Sequence, residues 1–125
     1  MKPTKTNILI IGAGLTGLTL AYLLRDDPRE VILLEGRKRI GGRIHTVYPD
    51  DGPPQEMGAT WLGKKHEQLN ALLTELNLGI FEQILGKTAV YEPHSTSPPQ
   101  LVTLPPNNDP SFRIRGGTEK LIRLL

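Results

Sequence analysis

The residues best placed to do chemistry begin with Gly12-Ala13-Gly14-Leu15-Thr16-Gly17, three glycines at G-x-G-x-x-G spacing. Such a match means little by itself. Here it follows a continuously apolar run, Asn7-Ile8-Leu9-Ile10-Ile11, and precedes a leucine-rich helical pattern. In that context Gly12 permits a tight turn, Gly14 lets a pyrophosphate reach the backbone, and Gly17 lets helix and strand pack closely. The N–H groups of Leu15 and Thr16 open the helix, where unpaired donors and the positive dipole end favour an anion. Glu35 follows at about the 20-residue offset expected of an acid that accepts hydrogen bonds from a ribose diol. A carboxylate there repels a 2′-phosphate, which disfavours NADP. At this point NAD and FAD remain equally allowed.

These residues need elements to position them. The run 7–11 suits a strand buried on both faces of a parallel sheet. Residues 15–25 carry Leu15, Leu18, Ala21 and Tyr22 at helical spacing, and Asp26-Asp27-Pro28 ends the pattern. A second buried-strand pattern covers 30–35, which completes a βαβ unit. Residues 43–48 alternate like a strand before the turn-rich Pro49-Asp50-Asp51-Gly52-Pro53-Pro54. A helix is predicted over 65–78 with Leu69, Leu72, Leu73 and Leu76 on one face and Gly79 as its stop. Strands are predicted over 84–91 and 101–104, around a proline-rich loop. The last helix, 119–125, is predicted to be capped by Thr118.

The stretch Glu35-Gly36-Arg37-Lys38-Arg39-Ile40-Gly41-Gly42-Arg43 separates the two cofactors. It resembles the second signature of the flavin-containing amine oxidases and their relatives, in which an acid, an arginine and a Gly-Gly-Arg lie near the FAD diphosphate. Glu56-Met57-Gly58-Ala59-Thr60-Trp61-Leu62-Gly63 resembles the element that runs beside the flavin in that family. Phe112-Arg113-Ile114-Arg115-Gly116-Gly117-Thr118 resembles the return from the substrate domain. The resemblance implies FAD as cofactor, with Gly12, Gly14, Leu15, Thr16 and Gly17 at the diphosphate and Glu35 at the ribose. Gly36, Arg37, Gly42 and Arg43 would then lie along the diphosphate, and Gly58, Ala59, Thr60 and Trp61 along the flavin. Gly41 would let the backbone pass close to the cofactor. Amino-acid oxidases of the family place an arginine where Trp61 stands, so the resemblance implies a neutral small-molecule amine or another uncarboxylated substrate.

The expected fold class is α/β: a Rossmann-like FAD/NAD(P)-binding βαβ unit with a parallel sheet and a small β-rich extension, expected to be incomplete. The expected organisation is a cofactor-binding portion over 1–79, a shortened substrate-domain-like β segment over 80–111, and a return to the first domain over 112–125. The final helix stops mid-pattern and one βαβ unit leaves open sheet edges. Either truncation of a longer chain or a missing partner, a second polypeptide or a self-associated copy, is therefore expected. The family's C-terminal flavin motif, its lysine and its aromatic substrate cage have no counterpart in the chain, so no catalytic residue is named.

Composition excludes several alternatives. With no cysteine there is neither a disulfide nor a thiolate metal site. His45 and His66 are not at metal-ligand spacing, and no metal is expected. A net charge of +2, concentrated in Arg37, Lys38, Arg39 and Arg43, falls short of a nucleic-acid surface. The apolar run after the two N-terminal lysines is too short for a signal peptide or membrane span, which makes a cytoplasmic setting the expectation. Gly86-Lys87-Thr88 superficially suggests a phosphate loop, but Phe81 stands where its first glycine must be.

Overall fold

The computed structural model describes residues 5–94 and 98–125. Residues 1–4, with the first N-terminal lysine, and 95–97, in the proline-rich loop, lie outside the described residues.

Strand β1 (Ile8–Ile11), helix α1 (Leu15–Leu23) and strand β2 (Val31–Leu34) form the expected βαβ unit. The two strands are parallel, with Ile8 opposite Val31 and Ile11 opposite Leu34, and α1 packs on both. Gly17 faces the preceding turn, where an added Cβ would meet the Gly12 carbonyl oxygen at 2.0 Å. The helix and turn approach so closely because this position has no side chain.

The strands are not buried on both faces, contrary to the expectation for 7–11 and 30–35. Ile10 is buried, but Leu9 is 51% exposed, Ile11 82% and Leu34 52%. In a two-stranded sheet with α1 on one side, alternate residues of β1 point to a face that the described residues leave open.

Strand β3 (Thr46–Val47) pairs antiparallel with β4 (Gln55–Glu56), a shorter hairpin than the alternation over 43–48 suggested. Helix α2 (Glu67–Glu75) follows. Its stop is Asn77, not Gly79. Asn77 takes the left-handed conformation at φ 53°. The Leu78 N–H bonds Leu73 O at 2.8 Å, and the Asn77 N–H bonds Thr74 O at 3.0 Å. That is a Schellman ending, with Leu78 packed in the same core cluster as Leu73.

Strand β5 (Ile80–Glu82) pairs antiparallel with β8 (Phe112–Ile114), and β6 (Thr88–Tyr91) pairs antiparallel with β7 (Gln100–Thr103). Two differences from the predicted strands follow. Ile84 and Leu85 lie outside any strand and are exposed, whereas 80–82 is a strand because its partner, 30 residues on, supplies the ladder.

Helix α3 (Glu119–Leu124) carries Leu121 and Ile122, the largest fully buried side chains. Ile122 packs with Ala13, Leu18 and Ile44, while Leu121 packs with Leu62, Leu73 and Ile114. So short a helix is held by this packing and not by propensity. Burying each side chain stabilises by about 1.5–3 kcal/mol.

Thr118 occupies the N-cap position, but its side chain makes no capping bond. Its N–H and hydroxyl both donate to Glu56 Oε1, at 2.6 and 3.0 Å. The hydroxyl that caps α3 belongs to Thr46, 73 residues away: Thr46 Oγ1 accepts the Glu119 N–H at 3.0 Å and donates to Glu56 Oε2 at 2.8 Å.

Candidate cofactor site

Three segments converge at the C-terminal end of β1. The first is the glycine turn. Gly12 sits at φ 98° and donates its N–H to Leu34 O at 2.7 Å, which ties the turn to the end of β2. Gly14 is the N-cap of α1 and offers no side-chain cap, and no acidic residue stands in the first turn. The first i→i−4 bond of α1 joins the Leu18 N–H to Gly14 O at 3.0 Å. The N–H groups of Leu15, Thr16 and Gly17 therefore precede the helical ladder, at its positive end.

The second segment is the end of β2. Glu35 Oε2 accepts the Ala13 N–H at 2.8 Å and Oε1 accepts the Arg37 N–H at 2.9 Å. The Arg37 N–H first, and then that of Ala13, hold this carboxyl below the usual carboxylate range. It is anchored as an anion, with lone pairs remaining for an outside donor.

The third is the loop after β2, which folds back over the turn. The Gly41 N–H donates to Ala13 O at 2.7 Å, and Gly14 and Gly41 form a parallel bridge. Gly41 and Gly42 both take positive φ, 97° and 58°. A Cβ on Gly42 would stand 3.2 Å from the Gly14 Cα, so the two backbones pass at contact. Ala59 joins from the far side by donating its N–H to Arg43 O at 3.0 Å.

Together these segments enclose an open cleft of about 660 Å³. It is lined by Gly12, Gly14, Leu15, Thr16, Glu35, Arg37, Gly41, Gly42, Arg43, Ile44 and Ala59. Five of the residues singled out in the sequence lie outside that lining. Gly17 serves the helix–turn contact. Gly36 is open to solvent, and a Cβ added there would meet nothing within 4 Å. Gly58 is required by packing, since a Cβ there would meet Arg43 O at 2.0 Å. Thr60 turns its hydroxyl to Gly58 O at 3.0 Å, and Trp61 is 59% exposed. Ile44 is the lining residue that the sequence did not announce. It is also a buried member of the first core cluster.

The basic cluster divides into different roles. Among the described residues neither the Arg37 nor the Arg43 guanidinium has an ion-pair or hydrogen-bond partner, whereas Arg25, Arg29, Lys65 and Arg123 are all paired. Two unpaired arginines, an uncompensated helix N-terminus and an anchored carboxylate fit a ligand with a diphosphate and a ribose diol. His66 is bonded locally, accepting the Gly63 N–H on Nδ1 at 3.2 Å. Among the described residues no group of three His, Asp or Glu side chains is placed to hold a metal ion, and no helix is long and apolar enough to cross a membrane.

The model of the family described as flavin containing amine oxidoreductase matches residues 15–112. The chain belongs to that family. FAD is the cofactor of this amine oxidoreductase family, which sets the NAD alternative aside. A probable polyamine oxidase 4 of Arabidopsis thaliana is 36% identical over 128 residues, covering 92% of this chain and 25% of the relative. The flavin-containing amine oxidase B of Sus scrofa is 29% identical over 107 residues, covering 86% of this chain and 21% of the relative. A solved putrescine oxidase superposes with a TM-score of 0.68 at 32% identity, over 84% of this chain and 24% of that one. The chain thus spans about a quarter or less of the length of these relatives.

Proposed function

We propose that this chain is the FAD-binding part of a flavin-dependent oxidoreductase of small amines, with the ADP half of the cofactor in the cleft described above. The observation that carries the proposal is the single cleft shared by the glycine turn, the start of α1, Glu35, Arg37 and Arg43. In it the N–H groups of Leu15 and Thr16 would take phosphate oxygens, and the Glu35 carboxylate would accept from the ribose hydroxyls. The two arginines would neutralise the diphosphate, and the Gly14–Gly42 contact would bring backbone close to it. Hydride transfer from a C–H bond beside an amine nitrogen is the chemistry that the flavin supplies when bound. The chain's own residues bind and orient. The relatives named for polyamine and putrescine oxidation support a small, uncarboxylated amine as substrate of the whole enzyme, and Trp61 in place of an arginine agrees with it.

The exposed face of Leu9, Ile11 and Leu34 favours a second reading, a non-catalytic module completed by a further polypeptide or by self-association. The visible spectrum of the desalted chain after adding FAD separates the two. A retained yellow band, with ADP competing, supports a self-sufficient FAD site. ADP binding without a retained band supports the module. Binding of neither would refute both.

A further inference from the structure

Arg39 belongs to the same basic cluster as Arg37 and Arg43, yet the structure uses it differently. Its Nη1 donates to Ile40 O at 3.2 Å and to Ile44 O at 3.1 Å, and its Nη2 donates to Gly42 O at 2.7 Å. One guanidinium therefore binds three carbonyl oxygens on both sides of the Gly41-Gly42 turn. We infer that Arg39 is the positioning residue of the cofactor cleft, bracing this turn so that Gly42 and Arg43 meet the ligand in one fixed place. The inference rests on the nucleotide-binding function proposed above.

The turn needs such a device. Two successive glycines at positive φ form the softest piece of backbone in the cleft, because glycine loses more conformational freedom on ordering than any other residue. Its two ends are already anchored. The Gly41 N–H is tied to Ala13 O, the Ile44 N–H donates to Gly41 O at 2.9 Å across the turn, and Ile44 is a buried member of the first core cluster. Between those anchors, the carbonyls of Ile40, Gly42 and Ile44 converge on the Arg39 fork. A planar guanidinium spans them with fixed donors, whereas a lysine ammonium is a compact point charge that cannot reach both sides at once. Arg39 lies outside the lining of the cleft, and three of its five N–H donors go to backbone oxygens. Arg39 acts through Gly42 and Arg43 and carries no phosphate itself.

The test compares Arg39→Lys, Arg39→Met and Arg37→Gln in the whole chain, with two readouts. Amide hydrogen exchange is followed at Gly41 and Ile44, with Ile10 in β1 as the internal control. Both Arg39 variants should exchange about tenfold or more faster at Gly41 and Ile44, with Ile10 unchanged. Arg37→Gln should leave all three protected. ADP titration at low and moderate salt is the second readout. Arg39→Lys should weaken ADP about as much as Arg39→Met, about tenfold, with the wild-type salt dependence kept. Arg37→Gln should flatten the salt dependence, because it removes a charge at the phosphate.

Full ADP affinity in Arg39→Lys would overturn the inference, since charge and not the fork would then be what matters. Faster exchange at Ile10 by the same factor would also overturn it, reducing Arg39 to a global stabiliser. If the wild-type chain binds no ADP, the nucleotide proposal fails separately. Exchange then still decides Arg39: selective loss at Gly41 and Ile44 supports the hold, and unchanged protection refutes it.

Discussion

Replacing Thr46 by valine should destabilise the chain more than replacing Thr118, although Thr118 occupies the N-cap position of α3. Thr46 is only 3% exposed, and valine matches its shape while deleting the hydroxyl. Two bonds disappear: the cap on the Glu119 N–H and the donation to the Glu56 carboxylate. Loss of a helix cap costs about 1 kcal/mol, and loss of a hydrogen bond to a charged group about 1.5–3 kcal/mol. The added buried methyl returns about 0.8 kcal/mol, leaving a net cost of about 2–3 kcal/mol. Thr118→Val keeps the backbone N–H on Glu56 Oε1 and loses one hydroxyl bond to the same carboxylate, which after the return from the added methyl should cost about 1–2 kcal/mol. Thr46→Ser keeps the hydroxyl and should recover most of the difference. Urea unfolding followed by far-ultraviolet circular dichroism ranks the three. A Thr118→Val midpoint below that of Thr46→Val would show that Thr118 caps α3 after all. A Thr46→Val change within about 0.5 kcal/mol of wild type would mean that the buried network contributes nothing net.

Gly17→Ala should destabilise by about 1–3 kcal/mol despite alanine's better helix propensity, because its Cβ meets the Gly12 backbone oxygen. Gly36→Ala has open space and should stay within about 0.5 kcal/mol, and equal denaturation midpoints for the two would refute the packing role of Gly17. Arg37→Gln and Arg43→Gln should each weaken ADP binding by about tenfold at low salt, with the deficit shrinking as salt rises; calorimetric titrations with a salt-independent deficit would count against phosphate neutralisation. The Glu35 carboxyl is depressed in the fold, so its contribution is present above its unfolded value and is lost as pH falls through its folded value. Carboxyl chemical shifts should place its midpoint below 4.5, and Glu35→Gln should flatten the acid limb of stability. In the same titration Asp27, gripped by the Arg29 side chain and then its N–H, should turn at about 2; a midpoint near that of a free aspartate would refute the grip.

The parts of this molecule that were legible in the sequence are those whose physics is local. A strand, a glycine turn, a helix and a second strand follow one another within residues 8–34, and each is specified by its own residues and immediate neighbours. The glycine spacing and Glu35 therefore announced five of the eleven residues that line the cleft, and the family resemblance supplied Arg37, Gly41, Gly42, Arg43 and Ala59. What escaped depends on partners far along the chain. The strand Ile80–Glu82 exists because Phe112–Ile114 lies beside it. The cap of α3 comes from Thr46, and nothing near Thr118 signals that its hydroxyl turns to Glu56 instead. The helix stop was misplaced for a smaller reason: Asn77 and Gly79 both tolerate a left-handed backbone, and only the 2.8 Å bond from Leu78 to Leu73 decides between them.

Residue type was least informative in the basic cluster. Arg37, Arg39 and Arg43 lie within seven residues of one loop and are identical in charge, so composition assigns all three to an anion. The structure separates them by what each guanidinium can reach. Two find no partner among the described residues and stand at a cleft whose helix end is also uncompensated. The third finds three carbonyl oxygens and becomes part of the backbone's support. Unpaired donors at a cleft raise its affinity for an anion, while satisfied donors fix the geometry in which that affinity acts. A lysine could replace the first kind at moderate loss and the second only by giving up the turn. The tolerance of each position to lysine is thus a direct measure of whether its arginine serves the ligand or the loop.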